Sequence, residues 1–209
     1  MEHERIRILL SELYGPEAAD SLLPDLTSIL DAYRGRIAGP REPGWSEKDA
    51  ILITYPDQVR QAGQPPLATL DEFCRDHLQG LVHGIHILPF YPWSSDDGFS
   101  VMDYRQVAPQ YGAWDDVRRL GGRFRLMFDA VLNHASAQGE WFRGYAAGRP
   151  EYRDHFIAVE GNPDLSQVVR PRALPLLTEF EVQGRLQRLW TTFSADQVDL
   201  NYHNRRVLL

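Results

Sequence analysis

A single cysteine, Cys74, in 209 residues leaves no partner for an internal disulfide, and this sets the expectation of a cytoplasmic chain. Runs of Lys and Arg are missing and the net charge is −7, so the clustered cations that nucleic acid demands are not there and no such partner is expected. No apolar stretch approaches the ~20 residues that cross a bilayer, so no membrane partner is expected either. Glu2, Glu4, Arg5 and Arg7 break up the N-terminus, against a secretory signal. There is no zinc constellation, no Gly-rich phosphate loop, no internal repeat and no low-complexity tract, so neither a metal nor a cofactor is expected. What is left, 43% hydrophobic and 24% charged, is a globular composition with room for one large or two small domains.

Ile6, Leu9, Leu10 and Leu13 recur at helical spacing, and Gly15-Pro16 ends that helix. Leu22, Leu26, Ile29, Leu30 and Tyr33 continue the spacing, with Pro24 marking a kink or restart. Residues 35–46, with Gly39-Pro40 and Pro43-Gly44, read as a linker, so 1–46 form a helical extension. Residues 50–55 are a first buried strand. Thr69 and Glu72 suggest a capping box opening a helix that runs to about His77. Residues 84–90 are a second strand, 115–120 a second helix and 124–132 a third strand. Leu126, Met127 and Phe128 form a short continuous apolar run, as in a strand buried on both faces. Strand-helix-strand-helix-strand at this spacing begins either a parallel α/β barrel or a doubly wound sheet.

A helical stretch near 140–147 closes that block, so 47–147 read as three βα units. Regularity then fades from 148 to 187 through Gly161-Asn162-Pro163, Pro171 and Pro175, and 189–193 look like a returning strand. An excursion this long exceeds ordinary βα loops of about 2–6 residues. Residues 193–209 return to the main domain, where Asn204 caps a helix starting at Arg205.

Asp129, Asn133 and His134 stand where the third strand meets its loop, the position at which α/β enzymes keep their chemistry. The plainer reading is a core strand whose last residues bond a loop. The run Asp-x-Val-x-Asn-His from Asp129 to His134 resembles the first signature of the alpha-amylase superfamily, glycoside hydrolase family 13. His-Ile-Leu-Pro-Phe from His86, Asp-x-Gly-Phe from Asp96, Gly-Ala-Trp-Asp-Asp-Val from Gly112, Arg170-Pro171-Arg172 and Asp196-Gln197-Val198-Asp199 resemble its sucrose phosphorylase branch. The resemblance runs from about Ile51 to the C-terminus and implies a (β/α)8 TIM barrel, settling what spacing leaves open. It also implies that 148–192 are an irregular insertion domain after the third strand. The helical extension resembles the branch's longer members, which act on sucrose 6-phosphate or glucosylglycerate.

By this resemblance, Asp96 accepts hydrogen bonds from the far hydroxyls of a bound glucose, and Gly98 lets backbone approach the sugar. The plainer reading of Asp96-Asp97 is a turn. His134 would bond glucose in the same subsite, against the plainer reading of a histidine satisfying a buried backbone group. Phe99 would be a platform for the ring, or equally a core residue. Arg172 would contact phosphate, its planar fork suiting phosphate oxygens. Phe193 and Gln197 would lie on the acceptor side, while Asp129, Asn133 and Asp199 would support the site. The residue before Arg170 is Val169, where sucrose phosphorylases often carry Tyr, so the acceptor is expected to differ from free fructose. The implied partners are a small glucoside and inorganic phosphate.

Retaining glucosyl transfer needs two carboxyl groups roughly 5–5.5 Å apart. The family's Arg-x-Asp nucleophile motif and acid/base glutamate are not found in this sequence. The expectation is therefore the N-terminal part of an alpha-glucoside phosphorylase, inactive by itself and self-associating through unpaired strand edges. The alternatives are an alpha-glucosidase or transglycosylase of the same superfamily, and a non-catalytic sugar-binding or decayed-gene product.

Overall fold

The computed structural model describes residues 2–36, 49–169 and 172–209. The linker expected over 35–46 and the first two residues of Arg170-Pro171-Arg172 fall largely or wholly outside them. The chain divides into two compact units, Met1–Trp45 with Asn201–Leu209, and Ser46–Leu200.

In the first unit, α1 (Glu2–Tyr14) and α2 (Pro16–Arg34) pack through Leu10, Ala19 and Leu22, with Ile6, Leu26 and Leu208 closing around them. Leu9 and Leu13 stay exposed because the hairpin covers only one side of α1. Pro24 sits inside a continuous α2. It removes one N–H, and the Asp20 carbonyl left without that donor lies on an exposed turn where water can serve it. A short α6 (Arg205–Leu208) starts at Asn204, whose Oδ1 accepts from the Arg206 N–H at 3.0 Å, and Arg205 pairs with Asp25.

The second unit opens with three parallel strands, β1 (Ile51–Thr54), β2 (Gly84–Ile87) and β3 (Arg125–Phe128), in the order β1-β2-β3. Ile51 pairs with Gly84, and Gly84 with Arg125. The connections carry α3 (Pro66–His77) and α4 (Trp114–Gly121). Leu67, Leu70 and Cys74 of α3 meet Ile85, Ile87 and Phe90, with Val117 and Leu120 of α4 completing the core. Helix α3 begins four residues earlier than the capping-box reading requires. Pro65 and Pro66 start it with pre-set φ, which places Thr69 inside the helix, its hydroxyl bonding back to the Pro65 carbonyl at 3.3 Å. Only β2 is the buried strand the apolar runs suggest. Ile53 is 63% exposed on β1 and Met127 44% on β3, because each is an edge strand among the described residues.

The stretch expected to be irregular contains a sheet. After α5 (Glu140–Ala146), β5 (Ala158–Val159), β6 (Leu177–Val182) and β7 (Arg185–Trp190) form an antiparallel sheet in the order β5-β7-β6. Gln183 (φ 51) and Gly184 (φ 73) make the two-residue turn between β6 and β7. The returning strand thus begins at Arg185 and ends at Trp190, ahead of Phe193. The signal was present in Thr178-Glu179-Phe180-Glu181-Val182, an alternation in which Val182 is buried and both glutamates are exposed. A separate two-stranded antiparallel ladder joins β4 (His134–Ser136) to β8 (Gln197–Asp199), and all six residues are buried.

Candidate functional site

Beyond β2 the chain closes a loop over 94–100. Ser94 N–H donates to the Ser100 carbonyl (3.1 Å) and Ser100 N–H to the Ser95 carbonyl (3.2 Å), which leaves Asp96, Asp97 and Gly98 at the tip. Asp96 and Asp97 lie at φ 57 and 51, a left-handed conformation that costs an L-residue roughly 1–2 kcal/mol and that Asp tolerates better than most. Gly98 has φ 104, and a Cβ there would sit 2.7 Å from the Pro89 carbonyl oxygen. The missing side chain is what lets the loop tip lie against Pro89, two residues beyond β2.

Asp96 is the hub of the cluster. Arg172 Nη2 donates at 3.0 Å to each carboxylate oxygen, and Gln197 Nε2 donates to Oδ2 at 3.0 Å. Gln197 Nε2 also lies 3.1 Å from His134 Nε2, which is 3.0 Å from the Phe99 carbonyl. Nε2 faces a carbonyl on one side and an amide NH2 on the other, so it donates to the first or accepts from the second, and Nδ1 takes the complementary role. His134 Nδ1 and Gln197 Oε1 are both buried with no protein hydrogen-bond partner. Burial pushes the His134 pKa below its ordinary value, against the Phe99 hydrogen bond and the Asp199 and Asp96 charges, which pull it up. The Phe193 ring packs on His134, 5.1 Å between centroids.

These groups border an open cavity of about 680 Å³. Asp96, Phe99, His134, Arg172, Phe193 and Gln197, the six residues singled out for ligand contact, all line it. Of the three support candidates, Asp129 and Asn133 line it and Asp199 lies outside the lining. Asp129 Oδ2 is 2.9 Å from His86 Nε2, tying the end of β3 to β2. Asn133 Nδ2 donates to Asp199 Oδ1 at 3.1 Å, and Thr192 bonds Asp199 through both its N–H and its hydroxyl. Burial raises the Asp199 pKa, and the Thr192 and Asn133 bonds partly offset it. No cluster of three or more His, Cys, Asp or Glu able to hold a metal occurs among the described residues.

Sequence reasoning passed over Tyr55 and Asp97, which also line the cavity. Tyr55 follows β1 as Asp129 follows β3, and strand-end position was the available signal. Burial raises the Tyr55 pKa, and the Asp97, Asp96 and Asp129 charges add to it.

Residues 76–208 match the alpha amylase catalytic domain. The chain belongs to the alpha-amylase family. Its β1–β2–β3 sheet is accordingly three strands of that family's (β/α)8 barrel. The chain is 57% identical over 212 residues to a glucosylglycerate phosphorylase of Spirochaeta thermophila, covering 99% of this chain and 36% of that one. It is 36% identical over 165 residues to a sucrose phosphorylase of Agrobacterium vitis, covering 73% of this chain and 33% of that one. Among solved structures it resembles sucrose 6F-phosphate phosphorylase from Thermoanaerobacter thermosaccharolyticum, with TM-score 0.70 and 29% identity over 79% of this chain and 36% of the other. The chain thus spans about a third of the length of the relatives it matches.

Proposed function

We propose that this chain carries the glucosyl-binding and phosphate-facing side of a retaining alpha-glucoside phosphorylase whose glucoside is glucosylglycerate. The observation that carries this reading is the meeting of Asp96, His134, Gln197 and Arg172 on one cavity. Asp96 offers a carboxylate to sugar hydroxyls. His134 Nδ1 and Gln197 Oε1 are buried polar atoms without a protein partner, and the hydroxyls of a sugar can both donate and accept. Arg172 keeps an exposed guanidinium able to pair phosphate oxygens bidentately.

The choice of glucoside rests on coverage. The glucosylglycerate enzyme aligns with 99% of the chain and the sucrose enzyme with 73%, a shortfall about the size of the segment ahead of β1. Val169, 97% exposed beside the Arg-Pro-Arg run, supports the same preference over free fructose.

In this reading the chain alone binds sugar without turning it over, because the family's nucleophile and acid/base carboxyl motifs are not found in its sequence. Self-association through the free edges of β1 and β3 belongs to the same proposal. Ile53→Lys should lower the sedimentation coefficient of any oligomer, and an unchanged oligomer would remove that element.

The decisive experiment replaces the matching segment of the Spirochaeta thermophila enzyme with this chain. The hybrid should release glucose 1-phosphate from glucosylglycerate and phosphate, with sucrose and sucrose 6-phosphate poorer substrates. A folded hybrid that hydrolyses glucosides without using phosphate would overturn the reading.

A further inference from the structure

The loop that presents Asp96 is held from below by a carboxylate outside the cavity lining. Asp196 sits in the turn before β8, where Gln197 N–H donates to the Ser194 carbonyl at 3.0 Å. Its Oδ2 accepts from the hydroxyls of Ser95 (2.7 Å), Ser100 (2.8 Å) and Ser94. Each serine has one proton to give, and one direction of the network lets all three loop hydroxyls donate to Asp196. Gln138 N–H donates to Ser136 Oγ at 2.9 Å, and Ser136 Oγ–H donates to Ser94 Oγ at 2.6 Å. The Ser94 proton then goes to Asp196. Three hydroxyls converging on one oxygen require the carboxylate as acceptor. Ser100 and Ser136 are fully buried, so these bonds have little competition from water.

Ser94, Ser95 and Ser100 are the two ends of the loop whose tip is Asp96-Asp97-Gly98. Gln197, next in sequence to Asp196, bonds the tip itself through Asp96 Oδ2. Adjacent residues of one turn therefore grip the same loop at its base and at its tip. We infer that Asp196 is a positioning residue, which fixes the strained backbone of Asp96 and aims its carboxylate into the cavity. The inference rests on the hexose reading of that cavity, since it names what the aimed carboxylate is for. Holding a left-handed Asp in place is what a clamp of three charge-assisted hydrogen bonds can do.

The test uses the 209-residue chain, with α-D-glucose as the probe, and reads amide exchange alongside binding. Asp196→Ala should accelerate exchange at Phe99 and Ser100, whose N–H groups close the loop, and leave Leu88 on β2's continuation unchanged. Glucose affinity should fall about tenfold or more, the scale of one lost hydrogen bond to a charged group. Asp196→Asn, whose one neutral carbonyl oxygen can accept only two of the three hydroxyls, should recover part of both losses. Should Asp196→Ala fail to fold, Ser95→Ala removes one donor of the three and should loosen Phe99 more than Leu88 by a smaller factor. Unchanged exchange at Phe99 and Ser100 in these variants overturns the inference, as does equal acceleration at Leu88. If the unaltered chain binds no glucose while the loop still loosens as described, the clamp stands and the hexose reading falls.

Discussion

On one side the cavity rests on the end of β3, and on the other on the β4–β8 ladder. These supports are built to opposite standards. Every residue of the ladder is buried, and it is cross-tied by Asn133 to Asp199, Thr192 to Asp199 and Gln197 to Asp96. Among the described residues β3 has one paired edge, keeps Met127 and Phe128 partly exposed, and holds its site residue through the pair of Asp129 with His86. The ladder is three residues long and gains its order from polar contacts converging on it. The sheet is longer but relies on apolar packing that covers chiefly β2. Polar cross-ties thus organise one wall and hydrophobic burial the other, and substitutions should separate the two.

The largest effect is expected under the sheet. Phe90 is fully buried against Tyr91, Trp114 and Phe128, with ring centroids 4.7, 5.6 and 5.3 Å away. Phe90→Ala should cost about 3–5 kcal/mol in urea unfolding. A loss under about 1 kcal/mol would mean that the half-exposed sheet collapses around the cavity, and the contrast between the walls would vanish.

Gly98→Ala comes next, at about 2–3 kcal/mol, combining a positive φ with a methyl pressed on the Pro89 carbonyl. Since Pro89 continues β2, this variant should also loosen the Asp96 loop, visible as faster exchange at Phe99. Retention of full stability would show the loop to be independent of the sheet.

The third effect is a pH dependence confined to the ladder. Burial holds His134 below its ordinary 6.5, so its contribution to stability is complete above that pH and is lost as pH falls through the folded value. Asp199 acts with the opposite sign. Its folded pKa lies above 3.8, so its contribution is present below 3.8 and disappears as pH rises through the folded value. Melting temperature should therefore decline on acidification from pH 6.5, and His134→Gln should flatten that decline. An identical decline in the variant would place its origin outside the ladder.

Arg172→Ala should change least in stability, under about 1 kcal/mol, because its ion pair with Asp96 is largely exposed. Phosphate binding by the chain should weaken nonetheless, measured by titration. A stability loss above about 2 kcal/mol would make Arg172 a third structural support of the cavity.

Much of this was legible because apolar spacing and turn residues act locally. Ile85 and Ile87 announced a buried strand, Asn204 announced its helix, and Asp129 to His134 announced a strand end facing a site. Burial of β3 was misjudged because Leu126-Met127-Phe128 shows that a strand could be covered, while coverage depends on neighbours far along the chain. The β6–β7 hairpin is hard to read although Thr178 to Val182 alternates, because Pro171, Pro175 and Gly184 crowd turn signals around so short a run. Asp196 was beyond reach altogether. Its serine partners lie about a hundred positions away, and no periodicity records which hydroxyls fold onto which carboxylate.

The Arg172–Asp96 contact has a stoichiometric consequence. A carboxylate has about four lone-pair positions. Arg172 occupies two and Gln197 a third, so a pair of neighbouring hydroxyls finds one seat where it needs two. The guanidinium must give up at least one oxygen before a diol can settle, which makes the arginine a competitor of the sugar for the same atoms. Because that ion pair is open to solvent, dissolved salt weakens it more than it weakens neutral hydroxyl contacts. Binding of an uncharged sugar here should then tighten as ionic strength rises, the reverse of what a charged ligand would show.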